Sequence, residues 1–572
     1  MTLTKRLHRR LFDSLAALLA VGLATLLDND ASAQDVGATA REKPGSAPDP
    51  AAPTDGTDPE TTGAVSELDA ALREFDRLID GALAGAVAGG GAISPVDPGP
   101  VIRLTNPGEV ISANLSFERP AEAGVSAPAS PVGLAVPDLA GMPIRGTAGA
   151  DILSGTRGSD HIIAYAGDDM IAGGKGADRI DGGDGIDIVS YVDSDAAVFV
   201  SLALGTARGG DAEGDALSGI DGLFGSSFAD MLEGNDGANV VSGHAGDDIL
   251  IGGGGDDWLI GGAGADVLSG GDGIDTAEYR GGGPVTIDLR DPGNNQGDAA
   301  GDTYVSVERF YLSDGDDQFT GADVAVHVNG EYGNDIIVGS SAADTLVGGA
   351  GNDTLSGGDG DDWFDGGSGS DLIDGGDGFD TLDYRASNDP ILFSILGPGA
   401  GAAGGDRIVS VERILGTELG DTFHMAGADG IAVELNGGDD VCFGGDGVDL
   451  VSGGAGNDWI AGAGGDDVLL GGAGDDFLWG GEGHDQLTGG AGDDRFYFDQ
   501  GGTAFTRVTD FSNGDVIVVD PTVFSDFDAI AGAMWMEGDT TFIANTNGGW
   551  LALHGVDMAS LNASDFAFDA IM

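Results

Sequence analysis

A period of nine residues governs most of this chain, and it constrains the fold more than any other feature. Gly146-Thr-Ala-Gly-Ala-Asp-Ile-Leu-Ser is followed in register by Gly155-Thr-Arg-Gly-Ser-Asp-His-Ile-Ile, and the pattern holds through Gly182-Gly-Asp-Gly-Ile-Asp-Ile-Val-Ser. Four arrays share it, at 146–190, 225–278, 312–383 and 435–497, with five, six, eight and seven units. A nine-residue unit cannot bury a hydrophobic face by itself, so such units must stack on one another. The period predicts an all-β solenoid.

The unit Gly348-Gly-Ala-Gly-Asn-Asp-Thr-Leu-Ser shows how the nine residues divide. Its first six are turn chemistry and its last three are strand chemistry. Glycines at positions one, two and four permit positive φ and close backbone approach, so carbonyl oxygens can converge on one point. Asp353 at position six adds a charged oxygen. A mixed set of carboxylates and backbone carbonyls is what calcium prefers, at six to eight oxygens per ion. One turn supplies only part of that shell, which places each ion between stacked turns. In the strand, a period of two sends Leu355 one way and its neighbours the other. Position eight is apolar in nearly every unit, as at Leu153, Ile180, Leu250, Leu259, Leu346, Phe364, Leu382, Ile460, Leu469 and Phe496. Stacking aligns these into an internal column.

Composition agrees with a cation-dependent fold. The 97 acidic residues face 23 basic ones, a net charge of −74, yet 41% of residues are hydrophobic. A chain of this charge would otherwise repel itself open. Nucleic acid is excluded as a partner, because phosphate binding needs clustered Lys and Arg. The single cysteine, Cys442, rules out an internal disulfide framework and reads as a small buried hydrophobe.

The arrays are joined by three related spacers, 191–224, 279–311 and 384–434. They begin with Tyr191, Tyr279 and Tyr384. Alternating segments follow at Val198 to Leu202, Val285 to Leu289 and Ile391 to Ile395. Next come Leu217-Ser-Gly-Ile-Asp, Val305-Ser-Val-Glu and Val409-Ser-Val-Glu, which read as Ser-centred strands. The spacers are expected to be longer solenoid turns.

The units match the pattern Gly-Gly-x-Gly-x-Asp-x-U-x, and through it residues 146 to 497 resemble the RTX (repeats-in-toxin), or haemolysin-type, calcium-binding proteins. The resemblance implies a parallel β-roll with two repeats per turn and multiple calcium ions between turns. It carries metal ligation over to position six. In the first two arrays those residues are Asp151, Asp160, Asp169, Asp178, Asp187, Asp230, Asp248, Asp257, Asp266 and Asp275. In the third they are Asp317, Asp335, Asp344, Asp353, Asp362, Asp371 and Asp380. In the fourth they are Asp440, Asp449, Asp458, Asp467, Asp476, Asp485 and Asp494. The pattern weakens at Asn239, at Val326, and between Asp421 and Glu434, where the register slips by one residue. Some 26 units imply roughly 15 to 20 ions, offsetting about half of the charge. Metal binding and folding are then one event.

Residues 1–33 look like an export leader. Lys5, Arg6, Arg9 and Arg10 precede the apolar run Leu15 to Leu27 and the small-x-small site Ala31-Ser32-Ala33. Arg9-Arg10-Leu11-Phe12 also resembles a twin-arginine motif. Residues 34–145 read as a Pro/Ala/Gly-rich linker holding a short amphipathic helix at 65–85. Residues 498–572 read as a small β cap, and Val508-Thr-Asp-Phe-Ser-Asn-Gly-Asp-Val-Ile with Asp565-Phe-Ala-Phe resembles the end of type I secreted RTX proteins. Two export routes are thus open, both ending outside a bacterial cell, with no transmembrane span in the mature protein.

No His-Glu-x-x-His, Gly-x-Ser-x-Gly or Walker motif occurs in the sequence. His161, His244 and His484 occupy variable repeat positions and read as surface residues. No catalytic residue and no cofactor besides calcium are expected. The chain is expected to be a non-enzymatic protein of the cell surface or extracellular matrix. The alternative is a secreted enzyme whose active site lies in the spacers or the terminal unit.

Overall fold

The structure, a computed structural model, describes residues 142–572 apart from 395–399, 402–404, 426–429, 499–503, 546–547 and 570–572. The expected leader at 1–33, the helix at 65–85 and the linker up to residue 141 lie outside the described residues.

Strand partners lie 18 residues apart and run parallel. Thr354–Asp359 pairs with Ile336–Ser340 on one side and Leu372–Asp377 on the other. Trp363–Asp365, one unit later, pairs instead with Thr345–Val347 and Thr381–Asp383. Successive units therefore belong to opposite sheets, and two units make one coil. The described residues form an all-β parallel solenoid. Its core is the position-eight column: Leu250, Leu259, Leu346, Leu355, Phe364, Ile373, Ile460 and Leu469 are fully buried, and Cys442 occupies the same position, buried.

Many strands are longer than three residues. Thr354–Asp359 carries its ladder past position nine, with Gly358 opposite Gly376 and Asp359 opposite Asp377. The glycines that favour a turn also let backbones come close enough to keep pairing.

The spacers do not interrupt the sheets. Gly222–Phe224 pairs with Ile188–Ser190 before it and with Val240–Ala245 after it. Extra length is absorbed by short antiparallel excursions, Phe199–Ser201 with Thr206–Arg208 and Ile391–Ser394 with Ala400–Gly401. The Ser-centred strands are a correction. Ser306 and Ser410 have φ of 48° and 51°, and Gly219, in the equivalent place, 59°. Each is a corner between two three-residue strands, such as Thr303–Val305 and Arg309–Tyr311.

The terminal unit adds an antiparallel meander, Met534–Glu537, Thr540–Ala544 and Trp550–His554. Its last strand continues the solenoid by pairing in parallel with Phe505–Val508. A five-residue α-helix, Phe527–Ala531, belongs to this unit. Among the described residues no helix is long and apolar enough to cross a membrane.

Candidate calcium-binding turns

Each position-six aspartate sits just before a strand and is fixed by its neighbours along the stack. Asp335 N–H donates to Asp353 Oδ1 at 2.8 Å, and Asp353 N–H donates to Asp371 Oδ1 at 2.8 Å. The rung recurs from Asp151 N–H to Asp169 Oδ1, 2.7 Å, to Asp476 N–H and Asp494 Oδ1, 3.0 Å. One carboxylate oxygen of every candidate except Asp151 and Asp160 is thereby committed to a residue of an earlier turn.

The second oxygen is another matter. Of the 24 candidate aspartates, 23 are buried and Asp160 is half-buried. In 17 of them Oδ2 is buried with no hydrogen-bond partner, Asp178, Asp257, Asp353 and Asp467 among them. A buried, unpartnered carboxylate oxygen is costly, and native proteins do not repeat such a cost without a compensating ligand.

The surroundings of that oxygen suit a cation. At Gly348, position one, a Cβ would lie 2.4 Å from Asp353 Oδ2 and 2.7 Å from the carbonyl oxygen of Gly366. At Gly471 the same distances are 2.3 Å to Asp476 Oδ2 and 2.5 Å to Gly489 O. Two acceptors face one small space with no donor between them. A side chain would fill it, which accounts for glycine there, and a hard cation with oxygen ligands fits the donor set.

Burial dominates the electrostatics. It pushes Asp335 and Asp440 up to about 8, and Asp178, Asp187, Asp248, Asp362, Asp371 and Asp467 up to about 7. Neighbouring carboxylates add to the rise, while the backbone N–H bond opposes it. A nearby dication reverses such shifts.

Among the described residues no group of three or more His, Cys, Asp or Glu side chains converges as a metal cluster. A cation held between these turns would draw mainly on backbone carbonyls beside the aspartate oxygens. The weak positions behave as their sequences suggest. Asn239 Oδ1 accepts from Asn235 N–H at 2.6 Å, Val326 has no carboxylate, and the rung from Asp421 to Asp440 spans 19 residues instead of 18. His161 and His484 are exposed. His244 is not a surface residue: its Nε2 is buried without a partner, its ring packs edge-on against Phe224 at 5.6 Å, and burial lowers its pKa.

Sequence reasoning missed several carboxylates that continue the rungs through the spacers. Asp178, Asp266 and Asp371 N–H donate to Oδ1 of Asp215, Asp302 and Asp406, all buried. Asp187, Asp275 and Asp380 N–H donate to Asp221, Glu308 and Glu412. Buried Asp421 and Asp515 flank the last array and extend its rungs: Asp421 N–H donates to Asp440 Oδ1, and Asp494 N–H donates to Asp515 Oδ1. The signal was there: Gly214-Asp-Ala-Leu-Ser, Gly301-Asp-Thr-Tyr-Val and Gly405-Asp-Arg-Ile-Val each repeat positions five to nine.

A family model described as RTX calcium-binding nonapeptide repeat (four copies) matches within residues 145–189, 216–277, 311–382 and 435–502. No curated protein matches. Among solved structures, the crystal structure of extracellular lipase LipA from Serratia marcescens is similar at 19% identity and a TM-score of 0.14. The match covers 43% of this chain and 42% of the lipase chain.

Proposed function

RTX calcium-binding nonapeptide repeats run through residues 145–502 of this chain, and we propose that they make it a secreted protein which folds on meeting calcium outside the cell. The observation that carries this reading is the set of 17 buried aspartate oxygens without a partner. A bound calcium ion supplies positive charge and accepts oxygen ligands. The chain supplies the rest: where Oδ2 is unpartnered, position one is glycine in most turns and keeps the space clear, and Oδ1 locks the turn to the one before.

Without a cation the folded chain must hold these carboxylates either ionised in a poor solvent or protonated at neutral pH. The core draws on one main apolar side chain per nine-residue unit and cannot carry that cost together with chain entropy. Extracellular calcium modules bind at about 10⁻⁴ to 10⁻³ M, so the solenoid would stay open at cytosolic calcium and close outside. A scaffold of this kind, strongly acidic and without a catalytic motif, supports a non-enzymatic role at a cell surface or in a matrix. Circular dichroism in chelator and in millimolar calcium tests the reading. The expected result is little β signal in chelator and a large gain with calcium; equal β content in both would sink it.

A further inference from the structure

The turns fall into two classes that the motif does not separate. We infer that calcium is confined to turns with a left-handed residue at position two, and that the first turn of every carboxylate run is closed by its own hydrogen bond and takes no ion. The inference rests on the calcium reading above and says which aspartates serve it.

The rungs divide into eight runs, each broken where an upstream turn offers no linked carboxylate. In four runs the first side chain is Asp151, Asp160, Asp317 or Asp344. Its Oδ2 accepts the position-two N–H of Thr147, Thr156, Ser313 or Ser340 at 2.5–2.7 Å. In the other four it is Asp230, Asn239, Asp421 or Asp449, and the donors are the N–H groups of Ser226, Asn235, Thr417 and Gly445. None of these eight position-two residues has positive φ. The oxygen that lies free elsewhere is here already satisfied.

All the following repeat turns, 18 of them, have positive φ at position two. Five do so without glycine: Tyr165, His244, Glu331, Asn436 and Ala463, at φ 67–83°. A left-handed residue with a Cβ costs roughly 1–2 kcal/mol, so the turn demands that conformation whatever the residue. Conversely Gly445, free to be left-handed, is not, and its turn is closed. Place in the run therefore separates the classes, not residue type. The 17 unpartnered oxygens all belong to left-handed turns, and Asp494, behind Gly490 at φ 105°, completes the set.

Three runs are closed at the far end as well. Asp215, Asp302 and Asp406 offer Oδ2 to the buried hydroxyls of Tyr191, Tyr279 and Tyr384, at 3.1, 2.7 and 2.8 Å. Hydrogen bonds close all eight runs at the first turn and three of them at the last; cations are needed in the left-handed turns that follow the first.

The test counts ions bound to the full chain at saturating calcium, by native mass spectrometry and by dialysis against radioactive calcium. About 18 per chain are expected. The quadruple variant Asp151→Asn, Asp160→Asn, Asp230→Asn and Asp317→Asn keeps the acceptor oxygens and should lose none. The matched variant Asp178→Asn, Asp257→Asn, Asp362→Asn and Asp467→Asn should lose about four. Equal losses from both variants would overturn this inference and leave the calcium reading intact, whereas a wild-type chain that binds no calcium would overturn both. Should either variant fail to show β structure in calcium, the wild-type count decides: 24 or more ions rejects the confinement.

Discussion

Asp371 lies in the last coil of the third array and Asp406 in the spacer that follows, and the two differ in one bond. Both are buried, and both accept the N–H of the aspartate one coil earlier, Asp353 and Asp371 respectively. Asp406 passes its second oxygen to the Tyr384 hydroxyl, while Asp371 passes its own to nothing in the chain. The coil is the same in each region. What differs is whether its charge is met from within the sequence or from solution, and this makes array and spacer two answers to one burial problem.

The largest effect that should break the comparison comes from acid. With ordinary values near 3.8 and folded values of about 6 to 8, the array aspartates bind more protons folded than unfolded. Stability of the metal-free fold therefore falls as pH rises from about 4 through 8, and is recovered on acidification. In chelator, circular dichroism should show β structure growing from pH 8 down to pH 5, while in calcium the same acidification should weaken ion binding. A metal-free chain indifferent to pH would contradict it.

Next in size is a pair of glycine substitutions. Gly351 has φ 152°, and a Cβ there would meet the Gly333 carbonyl oxygen at 1.4 Å; at Gly283, in the second spacer, a Cβ meets nothing within 4 Å. Gly351→Ala should cost more than about 3 kcal/mol and Gly283→Ala less than about 0.5 kcal/mol, read from denaturant midpoints in calcium. Tyr384→Phe should turn the spacer into an array-like site by orphaning Asp406 Oδ2, at about 1–3 kcal/mol. Added calcium concentration should rescue part of that loss if the freed oxygen becomes a ligand. The smallest change expected is a gain. Ala463→Gly relieves φ 76° and should stabilise the fourth array by about 0.5 kcal/mol after the entropy cost of glycine, seen as a slightly higher Tm.

Much of this architecture was legible because the period speaks twice, once as turn and once as strand. Leu355 and its equivalents could be placed in the core from parity alone, and the 18-residue pairing follows from two units per coil. The spacer carboxylates were hidden because their rungs span 32 to 37 residues, as from Asp371 to Asp406, so inserted loops erase the period while keeping the contact. The two turn classes were hidden for a different reason. A dihedral at position two separates them, and Gly444-Gly-Asp-Gly-Val-Asp looks like any open unit until Gly445 N–H is seen on Asp449. His244 was misplaced because a variable repeat position need not be an exposed one.

The rung between aspartates also gives the solenoid an arrow. Each donor precedes its acceptor along the chain, by 18 residues through most of an array, as Asp335 does before Asp353. Trimming the chain from its front removes a donor and leaves behind an oxygen that water can wet. Trimming from the back removes an acceptor and leaves behind an N–H that must find another. A molecule built this way offers different chemistry at its two faces, acceptor oxygens toward the front and donor N–H groups toward the back.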